Sequence, residues 1–245
     1  AEGDGDPSGV GPWAEELLGE AKPEVIYNTA TGFTADTFEQ VTAADPTQII
    51  AVNQAVDART KGSLEEIAPT IVKPNGYEDW QVPWEKQVET IADAVGKENE
   101  GDKLIDDTEK AFEEFRHEHA ELQDKSAAIV MPYEGKIGLY TKEDGRGQFI
   151  EDLGMEIPDA LQGDGGSFFV DIAPENYAKL NQVDYLFVLD YNGSSDALKK
   201  DKTFQGLDIV KEGRVRYLDT DTGNAMSMPN PVTIPWAVDK FEEKL

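Results

Sequence analysis

Among the basic residues, Arg146 is singled out by its neighbours. In Lys142-Glu-Asp-Gly-Arg-Gly-Gln-Phe149 it stands between Gly145 and Gly147, where a loop opens into a helix. A guanidinium held there can present a fork of N–H donors to a ligand oxygen; an ion pair with one of the many nearby acids is the competing use. Aromatic and polar residues gather at the ends of predicted strands. Asn53 and Gln54 follow the strand ending at Val52, and Tyr77, Trp80 and Trp84 lie after the strand ending near Lys73. Tyr133 follows Met131, Tyr191 follows Leu189, and Met226 and Asn230 lie in the segment after the strand ending at Leu218. Tyr140, in the strand Lys136 to Thr141, is a further candidate. Ligands of open α/β sheets bind at the carboxyl ends of strands. The pattern therefore points to a binding surface of flat rings and amides, although any one ring can instead fill a core.

Chemistry of other kinds finds little support. No Walker-type GKS/T, no GxGxxG after a strand and no GxSxG elbow is present. The chain has two histidines and no cysteine, which excludes disulfides, thiol chemistry and thiolate zinc sites. His117 and His119, two apart on one predicted helix, point to different faces and make a poor metal pair. No EF-hand-like loop occurs, so no metal site is expected. Fifty acidic residues against 22 basic ones give a net charge of −28. With no basic stripe to displace counterions, nucleic-acid binding is not expected, and docking on an anionic membrane surface is disfavoured. Carboxylate pairs are inevitable at this composition and carry no information about hydrolysis. No run reaches the ~18 apolar residues of a membrane span, and residues 1–12 are polar and Gly-rich, unlike a signal peptide.

The elements that would position these side chains alternate. A short helix is expected near Trp13 to Leu18, an extended stretch over Pro23 to Tyr27, and a helix over 35–44 capped by Thr34. Thr47 to Val52 reads as a strand, Ser63-Leu-Glu-Glu66 as a capping box opening a helix that Pro69 ends, and Thr70 to Lys73 as a strand. Trp84 to Val95 is a helix stopped by Gly96. Later strands are predicted at Ser126–Met131, Lys136–Thr141, Ser167–Val170, Val183–Leu189 and Arg214–Leu218, with helices at Gly147–Leu153, Pro174–Leu180 and Ile234–Leu245. Between the two halves, Glu98–Gln123 carries Leu104, Ile105, Thr108, Phe112, Phe115, His119 and Leu122 at helical spacing. It is the longest predicted helix, a rod of roughly 39 Å at 1.5 Å per residue. The fold class is α/β: an N-terminal lobe over 1–97, a bridging helix over 98–123 and a C-terminal lobe over 124–245, with a ligand cleft expected between the lobes. The N-terminal lobe yields fewer strands than the C-terminal one.

With these segments in place, the chain resembles the substrate-binding lipoproteins of iron-siderophore ABC importers, particularly their actinobacterial branch. The likeness rests on Gly11-Pro-Trp13, Ile49-Ile-Ala-Val-Asn53, Ile67-Ala-Pro-Thr70, Trp80-Gln-Val-Pro-Trp-Glu85, Arg146-Gly-Gln-Phe-Ile-Glu-Asp-Leu-Gly154, Val183-Asp-Tyr-Leu-Phe-Val188 and Pro231-Val-Thr-Ile-Pro-Trp236. Each piece is weak alone; their order and spacing are specific. The resemblance implies two α/β lobes bridged by one long helix, a ferric siderophore as ligand rather than a cofactor, no catalysis, and delivery to an ABC permease. It implies a monomer outside the cytoplasmic membrane, tethered by an N-terminal lipid anchor on a Cys that this chain lacks. The family opens with a strand-and-helix unit ahead of Gly11-Pro-Trp13; its absence here fits the strand deficit of the first lobe. Basic residues are few, Arg146 first with Arg59 and Lys61 behind it, so a neutral or cationic hydroxamate complex is expected over a polyanionic catecholate. A haem or cobalamin receptor on the same scaffold is the alternative, with a metal-dependent α/β enzyme behind it.

Overall fold

Residues 10–26, 32–163 and 167–245 are described in the computed structural model, and the chain divides into two units, Ala1–Asp102 and Lys103–Leu245. In the first, α1 (Glu15–Leu18) and α2 (Ala35–Ala43) precede β1 (Ile49–Ala51), α3 (Ala58–Glu65), β2 (Thr70–Val72) and α4 (Trp84–Val95). β1 and β2 run parallel with Ile50 opposite Ile71, the pairing that a connection through a helix allows. Thr34 caps α2 as expected, accepting from the Thr37 amide at 3.3 Å. Gly96 ends α4 with φ +67, a left-handed turn that glycine takes without a Cβ clash. The expected start of the helix at Ser63 is corrected. Asp57 accepts from the Thr60 amide at 2.7 Å and starts α3 at Ala58, so Ser63 lies inside the helix. Tyr27, the end of the expected extended stretch, lies outside the described residues.

The boundary between the units falls within α5 (Glu98–Glu118). This helix is shorter than the expected Glu98–Gln123. His119 leaves helical geometry at φ −114, ψ 49, and Ala120–Leu122 forms a 3₁₀ turn. Thr108, Phe112 and Phe115 are buried, whereas Leu104 is 49% exposed, so the apolar stripe does its packing toward the C-terminal end.

The second unit is built on five strands in the order β5-β4-β3-β6-β7: β3 (Ala127–Tyr133), β4 (Lys136–Tyr140), β5 (Phe169–Ile172), β6 (Tyr185–Asp190) and β7 (Val215–Asp219). β3, β6 and β7 are parallel, and β4 and β5 continue the sheet antiparallel. Glu134 and Gly135 both take positive φ, 46° and 78°, the two-residue turn whose twist suits a tight hairpin. Helices fill the connections: α6 (Gly145–Asp152), α7 (Ser195–Lys200), α8 (Lys202–Gln205), α9 (Asp208–Lys211), α10 (Thr220–Ser227) and α11 (Thr233–Glu242). Three departures from the sequence reading stand out. α7 to α9 occupy a stretch with no predicted helix, Pro174–Gln182 is 3₁₀, and the supposed loop after β7 begins as α10, capped by Asp219.

Alternation along the strands sorts the core into two layers. Ala128, Val130, Ile137, Leu139, Leu186 and Val188 face Tyr177, Leu180, Leu198, Phe204 and Ile209 from the 3₁₀ segment and α7 to α9. On the opposite face, Phe187 meets Phe241 of α11 at 4.6 Å between ring centroids, Phe149 of α6 lies 6.0 Å from Phe241, and Phe112 of α5 lies 5.6 Å from Phe149. These tilted and edge-on rings add about 0.5–1.5 kcal/mol per pair to the area they bury. This second face carries the candidate site.

Candidate functional site

Strand register on the second face sets Met131 opposite Gly138, Tyr133 opposite Lys136, and Tyr140 opposite both Ile129 and Phe169. Gly138 leaves room that Phe169 uses: a Cβ at this position would collide with the Phe169 ring. A glycine inside a strand marks such a close approach. Phe169 lies 5.5 Å from the Tyr133 ring and 5.2 Å from the Tyr140 ring, and the neighbouring Phe168 is 40% exposed. Met131 and Tyr133 are half-buried. The half-buried Met131, Tyr133 and Phe169 thus form an apolar ledge on the sheet, with Tyr140, 6% exposed, packed at its base.

Arg146 closes one end of this ledge. Its guanidinium carbon lies 4.1 Å over the Tyr140 ring. Nη1 donates to both carboxylate oxygens of Asp144, at 2.9 and 3.1 Å, while Nε and Nη2 donate to the Tyr191 hydroxyl at 3.4 and 3.3 Å. The fork expected for a ligand is therefore largely engaged within the protein, and the pair is buried rather than a surface salt bridge, with side chains 14% and 8% exposed. At least one Nη2 hydrogen is not used by these bonds. The flanking glycines explain how Arg146 fits. A Cβ at Gly147 would strike the Thr141 carbonyl, and one at Gly145 would come within 2.7 Å of Pro229 Cδ. Asp144 also caps α6 by accepting from the Arg146 amide at 2.9 Å. Tyr191 leans on Gly223 of α10, where a Cβ would lie 2.9 Å from its hydroxyl.

Burial sets the ionisation of this cluster. It pushes the Asp144 carboxyl above its ordinary range although Arg146 pulls it down. Burial alone would lower Arg146, but the charge of Asp144 and the phenols of Tyr191 and Tyr140 hold it higher still. Burial drives Tyr140 up to about 12, so it stays a neutral phenol at physiological pH. At the other end of the ledge, Lys136 pairs with Asp171 at 2.5 Å and lies 4.6 Å over the Tyr133 ring, and the Tyr133 hydroxyl donates to Asp171.

The remaining predicted residues of this unit serve the framework. Met226 is fully buried within α10, not in a loop, and is corrected from contact to core residue. Asn230 Oδ1 accepts from the amides of Val232 and Thr233 at 2.9 and 3.1 Å, and Nδ2 donates to the Met228 carbonyl, so its side chain holds the entry to α11. In the first unit, Asn53 Oδ1 accepts from the Val82 amide at 3.2 Å, which ties the loop after β1 to the aromatic loop. Lys73 and Asp79 form an ion pair at the base of that loop. Gln54 and Tyr77 are half-buried. Trp80 is 39% exposed with φ +68, a backbone state costing a non-glycine residue about 1–3 kcal/mol. Trp84, 1% exposed, is a core residue and not a ring open to ligand. A cavity of about 690 Å³ in this unit is lined by Phe33, Phe38, Asp57, Arg59, Ser63 and Asp79 among others; of the basic candidates it takes in Arg59, whereas Asn53, Gln54, Tyr77, Trp80 and Trp84 do not line it.

Phe168, Phe169, Gly138 and Asp144 belong to the site and were not singled out from sequence. The signals were a pair of adjacent phenylalanines opening a strand, a glycine inside the facing strand, and an acid at the cap position before Arg146. Among the described residues, no group of three or more His, Asp and Glu side chains is placed to hold a metal ion.

Solved structures of two proteins resemble this chain closely. The iron uptake ABC transporter substrate-binding protein PiaA from Streptococcus pneumoniae TIGR4 superposes with a TM-score of 0.79 at 26% identity, over 96% of this chain and 82% of that one. PiaA in complex with ferrichrome gives 0.80 at 26%, over 99% and 81%. A periplasmic solute binding protein from Mycobacterium smegmatis str. MC2 155 gives 0.83 at 26%, over 98% and 80%. A comparison with curated proteins found no match. The family described as periplasmic binding protein matches residues 9–222. An aromatic ledge and a buried arginine on one face of a mixed five-stranded sheet, a fold shared with substrate-binding proteins and a family match over most of the sequence lead to one assignment: the chain belongs to the periplasmic binding protein family.

Proposed function

We propose that this protein binds a ferric siderophore outside the cytoplasmic membrane and hands it to an ABC importer permease, with no catalytic step of its own. The observation that carries this reading is the ledge of Tyr133, Phe169 and Tyr140 closed by Arg146. Flat rings pack on the methylene arms of a chelate, and the unused Nη2 hydrogen of Arg146 can reach one of its oxygens. The likeness to PiaA, solved with ferrichrome, supports the ligand class. Haem ligation by a phenolate is disfavoured at Tyr140, whose pKa of about 12 keeps it protonated. Native mass spectrometry and tryptophan-fluorescence titration against ferrichrome and ferrioxamine B test the proposal. Saturable binding of the ferric but not the iron-free form is expected, and absence of binding to both complexes overturns it. Arg146→Ala is expected to weaken binding at least tenfold.

A further inference from the structure

Both cations of the ledge carry a carboxylate of their own. Nη1 of Arg146 rests on both oxygens of Asp144, and Lys136 at the opposite end pairs with Asp171 at 2.5 Å. Two positive and two negative groups flank the rings, and their charges cancel. The adjoining hairpin tip adds a further acid, the exposed Glu134. A site built to attract a polyanion would leave its arginine and lysine uncompensated, because a carboxylate paired with each, buried at Asp144 and half-exposed at Asp171, offsets the attraction at its source. The long-range field of a chain at −28 adds repulsion rather than relief.

We infer that Asp144, acting through Arg146, and Asp171, acting through Lys136, make the ledge a charge filter that admits uncharged and monocationic ferric chelates and rejects polyanionic ones. The inference rests on the siderophore-binding reading and assigns the ligand's charge class within it. Asp144 and Asp171 are positioning residues; asparagine at 144 keeps the oxygen that accepts from the Arg146 amide and Nη1, and asparagine at 171 keeps one of the two acceptors that Tyr133 and Lys136 use. In Asp144→Asn the cap on the Arg146 amide and one bond to Nη1 survive while the negative charge is lost. Asp171 lies at the exposed edge of the sheet, half-exposed in its side chain; Asp171→Asn therefore applies the same rule away from the core.

The test measures binding of three complexes, uncharged ferrichrome, monocationic ferrioxamine B and a trianionic ferric tris-catecholate, to the wild type and to each variant. The wild type is expected to bind the first two at least tenfold more tightly than the third. Each variant is expected to narrow that gap by about tenfold, chiefly through tighter tris-catecholate binding. A fold defect in a variant would weaken all three complexes together and would not reorder them by charge. Wild-type affinity for the tris-catecholate equal to or above that for ferrichrome overturns the inference while leaving siderophore binding intact. Variants that bind but keep the wild-type ratio overturn it as well. If none of the three complexes binds the wild type, the functional reading falls and the filter with it.

Discussion

At the scale of single residues, the site depends on atoms that are missing as much as on those present. Gly138 has no Cβ because the Phe169 ring occupies that space, and Gly145 and Gly147 let the backbone close around Arg146. Gly138→Ala is expected to unseat Phe169 and to destabilise the protein by about 1–3 kcal/mol, the usual cost of overpacking. Urea denaturation would measure the loss, and the same variant should weaken ferrichrome binding because the ledge loses its central ring. Stability within a few tenths of the wild type would mean that Phe169 moves aside freely and is no fixed part of the surface. Sequence reasoning reached Arg146, Tyr140 and Tyr191 as separate candidates but did not reach Asp144. At a composition of 50 acidic residues, one more aspartate carries no signal until geometry places both of its oxygens on a guanidinium.

At the scale of elements, strong periodicity and clear stop residues made much of the fold legible. α4 keeps its predicted bounds because Gly96 takes the left-handed conformation that ends it, and β3, β4, β6 and β7 lie within two residues of where their apolar runs placed them. Helices α7 to α9 were not legible. At six, four and four residues they are too short to show a period, and tertiary packing of Leu198, Phe204 and Ile209 against the sheet holds them in place. Ser63 misled for a local reason: two caps compete within one short stretch, and Asp57 wins. Where α5 gives way to the 3₁₀ turn, His119 meets α11. Its ring packs on Phe115 at 4.6 Å, and Nε2 lies 2.9 Å from Glu242, with Nδ1 3.4 Å from Glu121. Burial alone would lower its pKa, but hydrogen bonds to Glu242 and Glu121 and their charges raise it above 6.5. A raised pKa means that the folded state holds the proton more tightly. The stabilisation is therefore complete below pH 6.5 and is lost as pH rises through the higher folded value. Denaturation of the wild type and His119→Gln at about pH 5.5 and about 8.5 should show the wild-type advantage shrinking at the higher pH; equal differences at both would remove His119 from the linkage.

For the molecule as a whole, charge and the uneven distribution of core are the governing facts. A net charge of −28 sets acid against acid across the surface, whereas exposed ion pairs such as Lys97–Glu100 return little. Screening falls within about 3 Å at 1 M salt. Sodium chloride at about that concentration is therefore expected to raise the melting temperature by several degrees, readable by differential scanning fluorimetry, and a fall would show that specific ion pairs outweigh the general repulsion. The second unit holds the five-stranded sheet and both aromatic layers, while the first pairs two strands of three residues each. Protection against hydrogen exchange should accordingly differ, with the amides of β3 and β6 slower than those of β1 and β2. The chain crosses from one unit to the other only once, inside α5, after Asp102. One unbroken ladder of backbone hydrogen bonds thus belongs to two cooperative blocks. Under mild destabilisation the amides before that point should open with the weaker block, and those around Phe112 and Phe115 should open only with the stronger one, so a helix uniform in geometry would melt in two instalments.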